Sequence, residues 1–287
     1  LIGEGDTLWY KSLYPNTISH VQFSPDGTTL GEVSYDGKYV GKFVMYDALT
    51  GEELWQFGLA THYFKQFSYS LDGQHIYVLP PSNLKISVLK VSNGELVDTL
   101  PVTKGENVKF DYDQVFQTNN SNILLLSNYN GYFALYDVNQ RKITKEKATN
   151  RVSRINASPY SDYFILAYQY ESSNTWKTKI NIYDIKTLDN IATLGEEEGL
   201  VENGGEAKIS YNGKYAATNF GGRALQIWDL ENKKLFKEYT PTIPTDSTTG
   251  RGGGPSLAFC NNEELLINCG GRFSRITTMA TDRKSVV

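Results

Sequence analysis

The chain has 287 residues, with 28 basic and 32 acidic side chains and a formal charge of −4. The two signs are interspersed, which leaves no basic footprint for nucleic acid or an anionic membrane, and no apolar run reaches the roughly 18–20 residues a membrane helix requires. Tyr (20) and Phe (13) are abundant beside many Val, Ile and Thr, a composition that favours strands.

Taken in order, the chain opens with "DTLWY" from Asp6, mirrored by "EELWQ" from Glu52, so that Trp9 and Trp55 lie 46 residues apart. Residues 1–13 therefore read as the outer strand of a unit whose other strands lie elsewhere. A turn signal follows, "FSPDGTTL" from Phe23, and it recurs as "YSLDGQHI", "QTNNSNIL", "ASPYSDYF", "ISYNGKYA" and "FCNNEELL". Their second residues fall at 24, 70, 118, 158, 210 and 260. Each octet is apolar, small and polar, then apolar again, the pattern of a tight hairpin. A second mark closes a β-rich run about twenty residues after each of the first five turns: "FVMYD", "ISVLK", "FALYD", "INIYD" and "LQIWD". Two independent marks keeping one period of about 45 residues define a tandem array.

Within a unit the order is strand, tight turn, strand, hairpin, strand ending in Tyr-Asp or Trp-Asp, polar turn, strand. Four short antiparallel strands per repeat predict the blade of a β-propeller. No unit offers the 3.6-residue apolar spacing of a helical repeat. The expectation is an all-β, single-domain propeller over residues 1–281, with blades at 18–59, 65–100, 113–148, 152–194 and 205–240. A partial blade at 255–279 would be completed by residues 1–13. Six repeats are visible, and a native ring of seven stays open. The chain is read as a fragment at both ends. "DRKSVV", residues 282–287, resembles a translated sequencing adapter and is expected to be a non-native tail.

The sequence resembles the WD-repeat family through "HVQFSPDGTTL", "FALYDVNQRKI" and "LQIWDLENKKL", though the family's Gly-His pair is absent. That resemblance implies a scaffold that binds proteins through its rims. "YDALTGEELWQF", from Tyr46, is similar to the repeat of quinoprotein dehydrogenases and their non-catalytic relatives, in which Asp, Thr-Gly and Trp dock neighbouring blades.

No catalytic constellation emerges. His20, His62 and His75 are dispersed, which argues against a zinc or non-haem iron centre. There is no Gly-x-Ser-x-Gly elbow and no phosphate-binding Gly-x-x-x-x-Gly-Lys motif. "TGRGGGPS" lacks the lysine and the following helix that would cradle phosphate. The acidic loop at residues 195–199 (Glu196, Glu197, Glu198) could hold calcium loosely, but reads as a solvated loop. Cys260 and Cys269 read as opposite ends of one strand, too far apart for a disulfide. They lean towards a reducing, cytoplasmic location.

The expected function is therefore a non-catalytic, cofactor-free and metal-free scaffold, monomeric, binding a protein or peptide through its long-loop face. The alternative is a quinoprotein-like or other catalytic propeller whose active site is missing or not recognisable. Long loops on a rigid frame are where binding resides, and His62, Tyr63, Tyr170 and Trp176 are the candidate anchors. "FGGRA" and "CGGRF" place Arg223 and Arg272 in the second hairpins of consecutive blades, with Arg251 in the glycine-rich loop between them. Three guanidinium groups in one sector would read an acidic peptide or a phosphorylated partner. Trp9, Tyr46, Trp55, Tyr136, Tyr183 and Trp228 recur at the repeat period and are expected to pack between blades.

Overall fold

Runs of Val, Ile, Leu, Tyr and Phe, cut at regular intervals by Ser-x-Asp-Gly or Asp-x-x-x-Gly turns, fold as antiparallel strands. The computed structural model describes residues 17–35, 41–59, 66–79, 85–103, 105, 111–128, 130–149, 154–172, 175–194, 206–210, 212–220, 224–239, 256–260, 264–269 and 272–276. Among these there is no helix, and the strands form five four-stranded sheets and one of three strands.

The first sheet holds β1 (Thr17–Phe23), β2 (Thr29–Tyr35), β3 (Gly41–Asp47) and β4 (Glu53–Leu59) in that order. The second holds β5 (Phe67–Tyr69), β6 (His75–Val78), β7 (Lys85–Lys90) and β8 (Leu96–Pro101). The third holds β9 (Gln114–Gln117), β10 (Ile123–Ser127), β11 (Tyr132–Asp137) and β12 (Lys142–Ala148). The fourth holds β13 (Arg154–Ala157), β14 (Tyr163–Ser172), β15 (Thr175–Asp184) and β16 (Asn190–Leu194). The fifth holds β17 (Glu206–Ile209), β18 (Tyr215–Phe220), β19 (Ala224–Asp229) and β20 (Lys234–Tyr239). The three-stranded sheet holds β21 (Ser256–Cys260), β22 (Glu264–Cys269) and β23 (Arg272–Ile276).

A sheet with one wet face alternates buried and exposed residues. The central strands here do not: Phe43, Val44, Met45 and Tyr46 are buried in succession, and so are Phe133, Ala134, Leu135 and Tyr136. Both faces of these sheets are therefore covered. The fourth strands are the wet edges, and β12 carries Lys142, Lys145 and Glu146 exposed along it, a charged edge that discourages further pairing.

The chain packs as two compact units, Leu1–Asn128 with Tyr132–Glu146 and Tyr129–Gly131 with Lys147–Val287. In the first unit Val33, Phe43 and Met45 of the first sheet meet Phe67, Ile76, Val78 and Leu89 of the second. The rings of Phe43 and Phe67 meet edge to face at 4.8 Å. Gly31 lies so close beneath Phe67 that a Cβ would sit 2.6 Å from its ring, so any side chain there must displace the aromatic. The next layer joins Tyr77, Ile86 and Val88 to Val115, Leu124, Leu126 and Tyr136. In the second unit Ile165, Ile180 and Ile182 pack on Ile209, Ala216 and Trp228.

The periodic aromatics lie in or beside these layers. Tyr46, Tyr136, Tyr183 and Trp228 are buried. Tyr136 donates its hydroxyl to the Pro101 carbonyl at 2.8 Å, and Trp228 donates Nε1–H to Thr218 Oγ1 at 3.1 Å. Tyr183 stacks on Phe164 at 5.2 Å. Trp55 is half-buried, stacks on Phe43 at 5.3 Å and donates Nε1–H to the Val91 carbonyl at 2.8 Å. Trp9 lies outside the described residues.

Polar links also join neighbouring sheets within each unit. Ser68 Oγ in β5 accepts the Gln117 N–H of β9 at 2.8 Å, and Asn156 Oδ1 in β13 accepts the Ile209 N–H of β17 at 2.9 Å. These are equivalent places: the acceptor stands two residues before its turn position (70 or 158) and the donor one residue before its own (118 or 210). At the outer edge Arg141, from the turn after β11, grips Asp98 of β8 with two bonds of 2.9 and 3.1 Å. Lys147 of β12 likewise reaches the Leu188 carbonyl at 2.8 Å in the turn after β15.

The two cysteines do not share a strand, contrary to the sequence expectation. Cys260 ends β21 and pairs opposite Glu264, while Cys269 lies at the far end of β22. The conclusion about a bridge is unchanged, because five residues of strand separate the two levels, about 17 Å.

Candidate binding face

In every four-stranded sheet the antiparallel order places two turns at one end, those after the first and third strands. The hairpin between the middle strands and the exit of the fourth lie at the other end. The two ends differ in chemistry.

At the first end the polar side chains are consumed by their own backbone. Ser24 Oγ donates to Asp26 at 2.6 Å and accepts the Thr29 N–H at 3.0 Å. Ser70 does the same with Asp72 and the His75 N–H, at 2.5 and 2.9 Å. Ser210 repeats it with Asn212 and the Tyr215 N–H, at 2.9 Å each. The Ser24 hydroxyl, then the Thr28 N–H, hold the Asp26 carboxyl below its usual range, as Ser70 and the Gln74 N–H do for Asp72. The third-strand Asp residues close the companion turn: Asp47 accepts the Thr50 N–H at 2.7 Å, Asp137 the Gln140 N–H at 2.8 Å and Asp229 the Asn232 N–H at 2.9 Å. Four residues after each of these marks the backbone is left-handed, at Gly51, Gly94, Arg141, Leu188 and Lys233, with φ between 52° and 72°. Glycine occupies that place in two sheets only.

The second end carries the longer segments. Where described, they are also self-satisfied near the frame. Glu146 Oε1 accepts both the Tyr112 hydroxyl at 3.0 Å and the Gly105 N–H at 2.9 Å. Burial, and then the Glu146 charge, push the Tyr112 hydroxyl far above the ordinary phenol range. Asn128 Nδ2 donates to the Asp111 carbonyl at 3.2 Å, and its Oδ1 accepts the Tyr132 N–H at 3.3 Å.

One hairpin at this end differs from the rest. The hairpin that carries Tyr170 and Trp176, expected among the long irregular loops, is paired strand as far as Ser172 on one side and from Thr175 on the other. β14 and β15 pair without interruption from Tyr163↔Asp184 to Ser172↔Thr175. β13 accompanies β14 only as far as Ala167, and β16 accompanies β15 only from Ile180. Beyond those points the two strands pair with each other alone among the described residues, as a two-stranded ribbon running past its sheet. Its polar composition reads as loop, but ladder hydrogen bonds are backbone bonds and need no apolar side chains.

The ribbon sets two of the candidate anchors in register. Tyr170 stands opposite Lys177, and Trp176 stands opposite Glu171, one step out of phase. Arg272 begins β23 opposite Cys269. His62, Tyr63, Arg223 and Arg251 lie outside the described residues, as do residues 195–199 and 282–287.

Among the described residues no three His, Cys, Asp or Glu side chains group as metal ligands, and no helix is long and apolar enough to cross a membrane. A scan against protein-family models finds no match to this chain, and neither does a search of the curated proteins.

Proposed function

We propose that the chain is a β-propeller of the broad WD-repeat-like and quinoprotein-like kind, and that it acts as a non-catalytic binding module. Its repeats stack as blades, and a protein or peptide docks on the ends that carry the middle-strand hairpins. The observation that carries this reading is the division between the two ends of each sheet. At one end the serine and aspartate groups are spent on their own turns, and at the other the chain extends a paired ribbon beyond the frame.

Phe43 and Met45 of the first sheet face the second, while Val44 and Ser34 lie in the alternate row and are equally buried, so the first sheet is covered on both faces. Closure by residues 1–13 is testable: their deletion should lower the melting temperature by about 10 °C, since a strand's worth of burial is several kcal/mol and each shifts a domain of this size by about 2–4 °C. An unchanged melting temperature would remove the closing role.

For the binding face, a photo-cross-linking residue is placed at Ser172, at the ribbon's far end, or at Leu49, which is exposed in a turn of the first end. Adducts formed in an extract of the producing cells should come from position 172 and not from position 49. Equal labelling, or none from position 172, overturns the reading.

A further inference from the structure

Three Asn-Gly pairs fall among the described residues: Asn93–Gly94, Asn130–Gly131 and Asn212–Gly213. A fourth, Asn203–Gly204, lies outside them. In each of the three the asparagine is exposed and the glycine is left-handed, with φ of 71°, 86° and 70°. Such a pair is reactive because glycine has no side chain to hinder its nitrogen, which can attack the asparagine side-chain amide. The three differ in what holds that nitrogen. Gly94 donates its N–H to the Lys90 carbonyl at 2.9 Å, and Gly213 donates to the Ser210 carbonyl at 2.9 Å. Their asparagines are tethered as well. Asn93 Oδ1 accepts the Glu95 N–H at 3.1 Å, and Asn212 Oδ1 accepts the Lys214 N–H at 3.1 Å and the Ser210 hydroxyl at 2.9 Å. Gly131 is engaged through its carbonyl, which accepts the Thr149 N–H at 2.7 Å and its hydroxyl at 3.3 Å. The Gly131 N–H makes no hydrogen bond among the described residues.

We infer that Asn130 is a self-modification site, where the chain deamidates through a succinimide to aspartate and iso-aspartate, while the turns at Asn93 and Asn212 hold those residues back. The Gly131 nitrogen gives its proton to hydroxide and attacks Asn130 Cγ. A new N–Cγ bond forms, the Cγ–Nδ2 bond breaks, and the amide nitrogen takes a proton from water and leaves as ammonia, which regenerates hydroxide. Water then opens the ring. Attack at the side-chain carbonyl restores the main chain with aspartate, and attack at the backbone carbonyl leaves iso-aspartate, with the main chain running through Cβ. Hydroxide and water are the only co-reactants. At Gly94 and Gly213 the N–H must first give up its bond to the turn carbonyl, which slows the attack about fivefold. The site lies in the hairpin between β10 and β11, so the new carboxylate arises at the end of the sheet where binding is proposed. The chemistry does not depend on that reading.

The experiment holds the full chain in neutral buffer at physiological temperature and samples it over days. Digestion at acid pH, where the reaction is slow, followed by peptide mapping in a mass spectrometer, reads the conversion at each asparagine. Asn130 should convert about fivefold faster than Asn93 or Asn212, and its rate should rise with pH across the neutral range. In concentrated urea the turn bonds are lost and the three sites should converge on one rate. Asn130→Gln, which would have to close a larger and slower ring, should remove the converted species from that peptide. Conversion of Asn93 or Asn212 as fast as Asn130 in the folded chain overturns the inference, and so does an Asn130 that converts in urea but not in buffer. A difference that persists undiminished in urea overturns it too, because the glycine hydrogen bonds are then not its cause. None of these outcomes depends on cross-linking from position 172, so this inference and the binding-module reading fail separately.

Discussion

Ser34 and Ser68 are both buried serines on strands of the first unit, and the same substitution should have opposite consequences at the two places. Ser68 Oγ accepts the Gln117 N–H at 2.8 Å, so it is the partner of a buried backbone donor on the neighbouring sheet. In Ser68→Ala that N–H stays buried and loses its acceptor, at about 1–3 kcal/mol. The methyl left behind matches the serine in size and adds little cavity. Ser34 Oγ is buried with no hydrogen-bond partner among the described residues. Ser34→Ala removes an unsatisfied hydroxyl and should be neutral or stabilising by up to about 1 kcal/mol. Paired urea titrations at constant m-value read the difference directly, and thermal melts should separate the variants by about 4–10 °C. If Ser68→Ala costs no more than Ser34→Ala, the inter-sheet bond does not hold the sheets together and the reasoning fails.

Lys233 is exposed and left-handed at φ 52°, so Lys233→Gly should stabilise by about 0.5–1 kcal/mol. Leu188→Gly relieves the same strain, but Leu188 is buried, and the lost packing should make that variant less stable by about 2 kcal/mol or more. The two are compared by denaturation midpoint. The Asp26 and Asp72 carboxyls are depressed below 3.8, chiefly by Ser24 and Ser70, so their contribution is complete above the unfolded value and is lost as pH falls through the lower folded values. Asp26→Asn with Asp72→Asn, which copies the native Asn120 and Asn212, should flatten the fall in melting temperature on that acid limb.

The repeat was legible because its marks are chemical requirements. A serine that both donates and accepts across a five-residue turn, with an Asp or Asn two residues on, cannot be replaced freely, and so it recurs in readable form at Ser24, Ser70 and Ser210. The left-handed position was legible only at Gly51 and Gly94. At Arg141 the same conformation is occupied by a side chain that grips Asp98, and at Leu188 by one that is buried. In both, a tertiary contact offsets the local strain and hides the turn from propensity. The inter-sheet bonds were invisible for a different reason. Ser68 and Gln117 are 49 residues apart and Asn156 and Ile209 are 53 apart, and one partner in each pair is a backbone N–H, which leaves no mark in a sequence.

The ribbon escaped notice because a polar hairpin and a polar loop have the same composition, and that ambiguity has a physical source that also explains where this fold can acquire function. A hairpin between two middle strands can lengthen two residues at a time. Each added pair satisfies its own backbone bonds, as Tyr168↔Lys179 and Tyr170↔Lys177 do here, and nothing in the buried layers need move. The opposite end has no such freedom. One residue inserted between Ser24 and Thr29 would break the bond from Thr29 to Ser24. One inserted between Asp47 and Gly51 would carry the left-handed conformation onto a different side chain. Length can therefore change at the hairpin end at almost no cost in stability, while at the turn end it costs the contacts that set the register of the sheet. A surface that differs from sheet to sheet has only one end of the sheets on which to form.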